Sequence, residues 1–121
     1  MCYNVKVKTS TAELEQRFGA TYNEPLEELP EYEEISGFAH PRLPVITTED
    51  STHIRLMEWG LVPAWVKDEK TAEEMQNLTI NARSETLIDK PSFRSILKRR
   101  CLILINGFYE WQHPAKQKIP Y

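Results

Sequence analysis

Tyr3, Val5 and Val7 alternate with Asn4, Lys6 and Lys8, which predicts a half-buried strand at the start of the chain. Ser10-Thr11-Ala12-Glu13 reads as a capping box, Leu14 and Phe18 share a face, and Gly19 supplies a stop, so a short helix follows. Residues 22–37 are acidic and contain Pro25 and Pro30; they are expected to form irregular surface with one helical turn. Residues 44–48 read as a short β-branched strand. Ile54 and Leu56 alternate with His53 and Arg55 in the next one, and Glu49-Asp50-Ser51-Thr52 supplies the turn between them. Thr71-Ala72-Glu73-Glu74 is a second capping box and opens a helix through Asn77. Pro91 opens a third helix over 92–100, with Phe93, Ile96 and Leu97 as its apolar stripe. Residues 101–105 form a continuous apolar run, the expected central strand, and Asn106-Gly107 marks a turn or bulge before 108–111. The resulting class is α+β: a strongly bent, largely antiparallel sheet with a barrel-like core and short flanking helices.

Composition narrows this picture. With 121 residues, 40% hydrophobic and 27% charged, the chain reads as one globular domain rather than a disordered or fibrous one. Eight prolines against four glycines favour a turn-rich chain over a helical bundle. No apolar run approaches the ~20 residues of a membrane span, so no membrane partner is expected. Two cysteines are too few for a disulfide scaffold, which points to a reducing, cytoplasmic setting. A net charge of -3 removes global basicity as an argument for nucleic-acid binding, but the charge is uneven. Residues 13–34 carry eight carboxylates against Arg17. Residues 83–100 carry Arg83, Lys90, Arg94, Lys98, Arg99 and Arg100 against Glu85 and Asp89. That basic segment is either a solvated helix face or a local surface for phosphates.

Four features carry candidate chemistry. Cys2 follows Met1, and loss of Met1 would leave an α-amine with a pKa of about 7.7–8.0 beside a thiol of about 8.5. Such an aminothiol condenses with an aldehyde to a Schiff base, which the thiolate closes to a thiazolidine. The same residue could act as an N-terminal nucleophile on an amide, or simply follow methionine with no role. If Met1 is retained, Cys2 has no free amine. Glu110 lies between aromatics in residues 108–111, on the face of Phe108 and opposite Tyr109 and Trp111. Pointing inward it would suit a general acid or base, and pointing outward it is a solvated strand residue. Asn81 could orient a substrate through its amide and Arg83 could hold a phosphate; the alternative is a turn asparagine beside a surface ion pair. Trp59-Gly60-Leu61-Val62-Pro63-Ala64-Trp65 is a rigid apolar loop whose tryptophans either stack on unpaired bases or fill core. His40, His53 and His113 contribute no recognisable pair, and no Cys or His spacing suggests a metal.

Taken in order, Met1-Cys2, the Trp59–Trp65 loop, Asn81-Ala82-Arg83-Ser84-Glu85-Thr86 and Gly107-Phe108-Tyr109-Glu110-Trp111 resemble the SRAP family, the SOS response-associated peptidase domain, over essentially the whole chain. The resemblance implies a DNA-damage response protein that captures abasic sites in single-stranded DNA through a thiazolidine crosslink, with an autopeptidase activity that releases Met1 or a short leader, and no cofactor. By motif position Cys2 is the crosslinking residue, Asn81 positions the sugar aldehyde and Glu110 is the acid/base. Arg83 is implied to bind a flanking phosphate, with Trp59, Trp65, Pro41 and Arg94 as further DNA contacts. Alternatives that stay open are a cysteine peptidase without DNA crosslinking, a noncovalent DNA-binding module and an inactive fragment. The chain departs from the family at Tyr3-Asn4, where Gly-Arg is common, and at Ala39-His40-Pro41, where the family has Ala-Pro. The family's catalytic histidine motif has no counterpart, so residues 1–121 are expected to be the N-terminal portion of a single SRAP-like domain.

Overall fold

A computed structural model describes residues 2–25, 27–112 and 119–120. Strand β1, Asn4–Val7, buries Val5 and Val7 while Asn4 and Lys6 stay part-exposed. Helix α1, Thr11–Phe18, starts at a full capping box in which Ser10 and Glu13 satisfy each other's backbone N–H, and it ends at Gly19. Leu14 is its buried anchor.

The acidic stretch expected to be irregular instead supplies two strands, β2 at Thr21–Tyr22 and β3 at Tyr32–Ser36. Contacts with β1 on both faces explain why. Tyr32 and Ile35 of β3 pack on the Val5–Val7 cluster, while Glu33 pairs with Lys6 at 3.0 Å and with Lys8 and Glu34 accepts from Asn4 Nδ2 at 2.6 Å. The hydrophobic pattern cannot report a strand held this way. A single 3-10 turn, Gly37–Ala39, leads into β4, Arg42–Thr47, and a hairpin returns through β5, His53–Glu58. At that hairpin Asp50 accepts from Thr52, His53 and Arg55, which holds its carboxyl well below the usual range.

Helix α2 runs Glu69–Leu78, two residues longer at the start than the expected box at Thr71. Its N-cap is Asp68, whose carboxylate accepts from Thr71 N–H at 2.9 Å; Thr71 is the third helical residue, not the cap. Helix α3 is confined to Pro91–Arg94 and buries Phe93, so the helix expected to reach residue 100 stops after one turn. Ile96 and Leu97 are only half-buried there, too little to extend it. Strands β6, Cys101–Ile103, and β7, Gly107–Tyr109, follow, and β8, Trp111–Gln112, pairs with β9, Ile119–Pro120.

The strands form a three-stranded sheet in the order β3-β1-β7 and a four-stranded sheet in the order β2-β5-β4-β6, besides the β8-β9 pair. All pairings are antiparallel except β2 with β5. The class is α+β as expected, and the described strands do not close into a barrel. Two clusters form the core: Val5, Val7 and Leu43 in one, and Leu14, Ala20, Ile46, Ile54 and Leu104 in the other. Strand β4 contributes to both and is buried from Leu43 to Ile46, which makes it the central strand. Of the expected centre, residues 101–105, only Cys101–Ile103 form a strand, β6, which is exposed at the sheet edge, while Leu104 beyond it enters the core. Pro44 is compatible with the central position because it faces Leu56 at a site whose backbone bonds turn elsewhere. Its carbonyl accepts from Leu104 N–H at 2.8 Å, while Leu56 donates to Glu24 at 3.1 Å and accepts from Arg42 at 3.1 Å.

Candidate functional site

Cys2 precedes β1 and packs, half-buried, against Val5, Val7 and Leu43. Its Sγ–H donates to the Asn4 carbonyl at 3.4 Å. The register pairs Asn4 with Tyr109, so the chain just before β1 meets the chain just after β7, where Glu110 stands half-buried. The run expected to be one strand over 108–111 breaks at Glu110, between β7 and β8; Phe108 is 60% exposed, whereas Glu110 is half-buried. Burial pushes the Cys2 thiol above its ordinary value; the Asn4 backbone offsets part of the rise, and the Glu110 carboxylate adds to it. Cys2 and Glu110 therefore share one electrostatic environment.

Trp59 fixes the other wall. Its indole N–H donates to the Ile80 carbonyl at 2.8 Å, and its backbone N–H donates to the carbonyl of the buried Pro41 at 3.0 Å. The ring lies so close to Gly37 that a Cβ there would sit 3.0 Å from Trp59 Cε2 and 2.7 Å from Ile80 Cγ2. Gly60, at a φ of +111°, then turns the chain, and Thr79 accepts from Leu61 N–H at 2.8 Å. His40 closes this region, with Nδ1 2.8 Å from the Trp59 carbonyl and Nε2 3.0 Å from Asn77 Oδ1. The result is a fixed path for residues 79–81.

That path delivers Asn81 to a cleft of about 310 Å³, lined also by Tyr3, Phe38, Leu78, Arg83 and Lys90. Asn81 Nδ2 is buried and has no hydrogen-bond partner among the described residues. An amide left this way costs about 1–3 kcal/mol relative to a satisfied one, so the position suits a ligand acceptor. Arg83 and Lys90 are exposed at the rim, and the Arg83 guanidinium makes no ion pair among the described residues. A second cleft, of about 460 Å³, is lined by Tyr22, Glu24, Glu27, Glu28 and Glu31 and would repel an anion.

Cys2 is thus brought beside Glu110, and Asn81 beside Arg83, with Tyr3 linking the two as the residue after Cys2. Trp65 is 54% exposed and does not line the Asn81 cleft. Arg94 is exposed but turns back onto the Ile88 and Asp89 carbonyls at 3.2 and 3.1 Å. Residue His113 lies outside the described residues, as does Met1. The sequence gives no signal for Tyr3 and Phe38 as site residues, and Lys90 enters only as one member of the basic segment 83–100. Tyr3 belongs by alternation to the buried face of β1, yet it is 36% exposed, because the alternation starts only at Asn4. Among the described residues no helix is long and apolar enough to cross a membrane, and no three His, Cys, Asp or Glu side chains group to hold a metal ion.

Comparison with known proteins matches the arrangement to a family. The family model "SOS response associated peptidase (SRAP)" matches residues 1–121. The abasic site processing protein YoqW of Bacillus subtilis is 44% identical over 80 residues, covering 64% of this chain and 34% of its own length. The abasic site processing protein HMCES of Gallus gallus is 46% identical over 67 residues, covering 54% of this chain and 20% of its own. The chain therefore spans about a third of YoqW and a fifth of HMCES. A crystal structure of a protein from Bacteroides thetaiotaomicron superposes with a TM-score of 0.81 at 32% identity, over 98% of this chain and 52% of that one. With the family model covering every residue, the chain belongs to the SOS response associated peptidase family.

Proposed function

We propose that this chain processes abasic sites in single-stranded DNA by capturing the ring-opened deoxyribose aldehyde on Cys2. The observation that carries the reading is the buried amide of Asn81, unpartnered among the described residues, in a cleft that Arg83 and Lys90 line together with Tyr3, the residue after Cys2. The names of YoqW and HMCES support DNA with abasic sites as the substrate.

The chemistry follows from the groups present. Hydrolysis of the Met1–Cys2 bond, the autopeptidase step, consumes one water and exposes the Cys2 amine. That amine adds to the aldehyde carbon, and the carbinolamine hydroxyl leaves as water once protonated, giving an imine. Glu110 carries the amine's two protons in turn to that oxygen, which leaves as water, and Asn81 Nδ2 donates to the sugar oxygen and holds the carbon in reach. The Cys2 thiol then gives up its proton, the sulfur bonds to the imine carbon, and the imine nitrogen takes a proton. The product is a thiazolidine, and the net change is loss of one water. Arg83 holds a neighbouring phosphate, and Trp65 offers an exposed ring to the strand.

An abasic oligonucleotide incubated with protein lacking Met1 should give a denaturation-resistant species whose mass is the sum of the two less one water. Cys2→Ala should give none. An adduct that persists in Cys2→Ala would overturn the reading. So would peptide turnover with no DNA adduct, which would favour a cysteine peptidase. Salt-sensitive binding without any adduct would instead indicate a noncovalent module.

A further inference from the structure

Tyr3 and Phe38 form an offset stack, with ring centroids 5.4 Å apart and planes 14° from parallel. Phe38 is nonetheless 62% exposed, so one of its faces is left to solvent. This exposed ring shares its cleft with Asn81, Arg83 and Lys90. The pair is held by backbone bonds rather than by burial. Gly37 N–H donates to the Tyr3 carbonyl at 2.7 Å, and Phe38 N–H donates to Ser36 Oγ at 3.3 Å. The main chain under both rings is thereby fixed, and the rings stack on each other without a ligand.

We infer that the Tyr3–Phe38 stack is a platform for the nucleobase of the nucleotide adjoining the abasic site. The inference rests on the single-stranded DNA reading above and specifies how that strand is held. An unpaired base has an aromatic face that adds to such a stack as a third ring, whatever its sequence. The phosphates on either side of it would meet Arg83 and Lys90, the exposed cations of the same cleft. A purely apolar ligand would leave those cations unused, and a free phosphate would leave the rings unused. A nucleotide uses both. Tyr3 directly follows Cys2, so the stacked base and the captured sugar belong to neighbouring positions of one strand. Fixing that base keeps the aldehyde from sliding past Cys2.

The test uses an oligonucleotide with a tetrahydrofuran abasic analogue, which lacks the aldehyde, next to a 2-aminopurine. Binding to the full chain should quench the 2-aminopurine, and Phe38→Ala should abolish the quench and weaken affinity about tenfold. Phe38→Trp should keep both, whereas Phe38→Leu, apolar but without a ring, should behave as Phe38→Ala does. When the neighbouring nucleotide also lacks its base, native protein and Phe38→Ala should bind equally. Equal quench and affinity for native protein, Phe38→Ala and Phe38→Leu would overturn the platform while crosslinking by native protein still stood. A native protein that neither binds nor crosslinks would overturn the platform together with the DNA reading. Unfolding curves of the Phe38 variants should overlay the native one, since the ring is mostly exposed.

Discussion

Strands β4 and β6 pair side by side, Val45 opposite Ile103 and Ile46 opposite Leu102, and both are aliphatic, yet they meet solvent differently. Leu43, Pro44, Val45 and Ile46 are all buried, whereas Leu102 is 58% and Ile103 52% exposed. The difference comes from neighbours. Strand β4 has β5 on one flank and β6 on the other, and its two faces feed separate clusters, Leu43 toward Val5 and Val7, Ile46 toward Leu14 and Ile54. Strand β6 has one strand beside it among the described residues. Apolar composition makes a strand able to be central, but the number of elements packed on it decides whether it is.

The sharpest way to break this contrast is to remove side-chain volume on each side of it. Ile54 is fully buried beside β4, so Ile54→Ala should cost about 2–5 kcal/mol, from lost burial and the cavity left behind. Leu102→Ala, on exposed β6, should stay within about 0.5 kcal/mol. Urea unfolding of the two variants checks both numbers; similar losses would mean that β6 is as covered as β4.

The same contrast explains what could be read from the sequence. Local signals were legible: the Ser10 box with its Gly19 stop, and the alternation that gives the β4–β5 hairpin, are contained in a few adjacent residues. The rank of strands was not, because the run at 101–105 and the run at 43–46 look alike until their partners are known. Pro44 fits the central strand because the side chains of Glu24 and Arg42, 32 and 14 residues from Leu56, take up the backbone bonds of Leu56 opposite it, which no local pattern shows. Strand β3 was hidden for a related reason: Lys6 and Lys8 of another segment hold its carboxylates. At the site, Cys2, Asn81, Arg83 and Glu110 were visible as residue types, whereas the Tyr3–Phe38 stack joins positions 35 residues apart and leaves no local trace.

A smaller effect tests how β5 tolerates Pro44 opposite it. Arg42 spans from the Leu56 carbonyl to Glu27, in place of a further strand beyond the short β2. Arg42→Leu leaves that carbonyl without its donor and should cost about 1 kcal/mol, read from the urea midpoint. Glu24→Gln keeps an oxygen for Leu56 N–H and should lose less. Equal losses would place the stabilising contribution in charge rather than in backbone satisfaction.

The smallest effect compares the two cysteines, which lie on opposite sides of the contrast. Cys101 is exposed on β6, and Cys2 is half-buried against the β1 cluster. Alkylation by iodoacetamide, followed peptide by peptide, should label Cys101 before Cys2 near neutral pH. Burial first, and Glu110 besides, raise the Cys2 thiol above its ordinary value, so less of it is thiolate there and its labelling should keep climbing as pH rises beyond that value. The sign for stability agrees. The folded chain holds the Cys2 proton more tightly than the unfolded chain does, so this contribution is present below the unfolded thiol's range and is lost as pH rises through the folded value. Glu110→Gln removes the carboxylate's share of the rise and should bring Cys2 labelling to lower pH while leaving Cys101 unchanged. A Cys2 profile that does not move in Glu110→Gln would separate the two groups and confine the rise to burial.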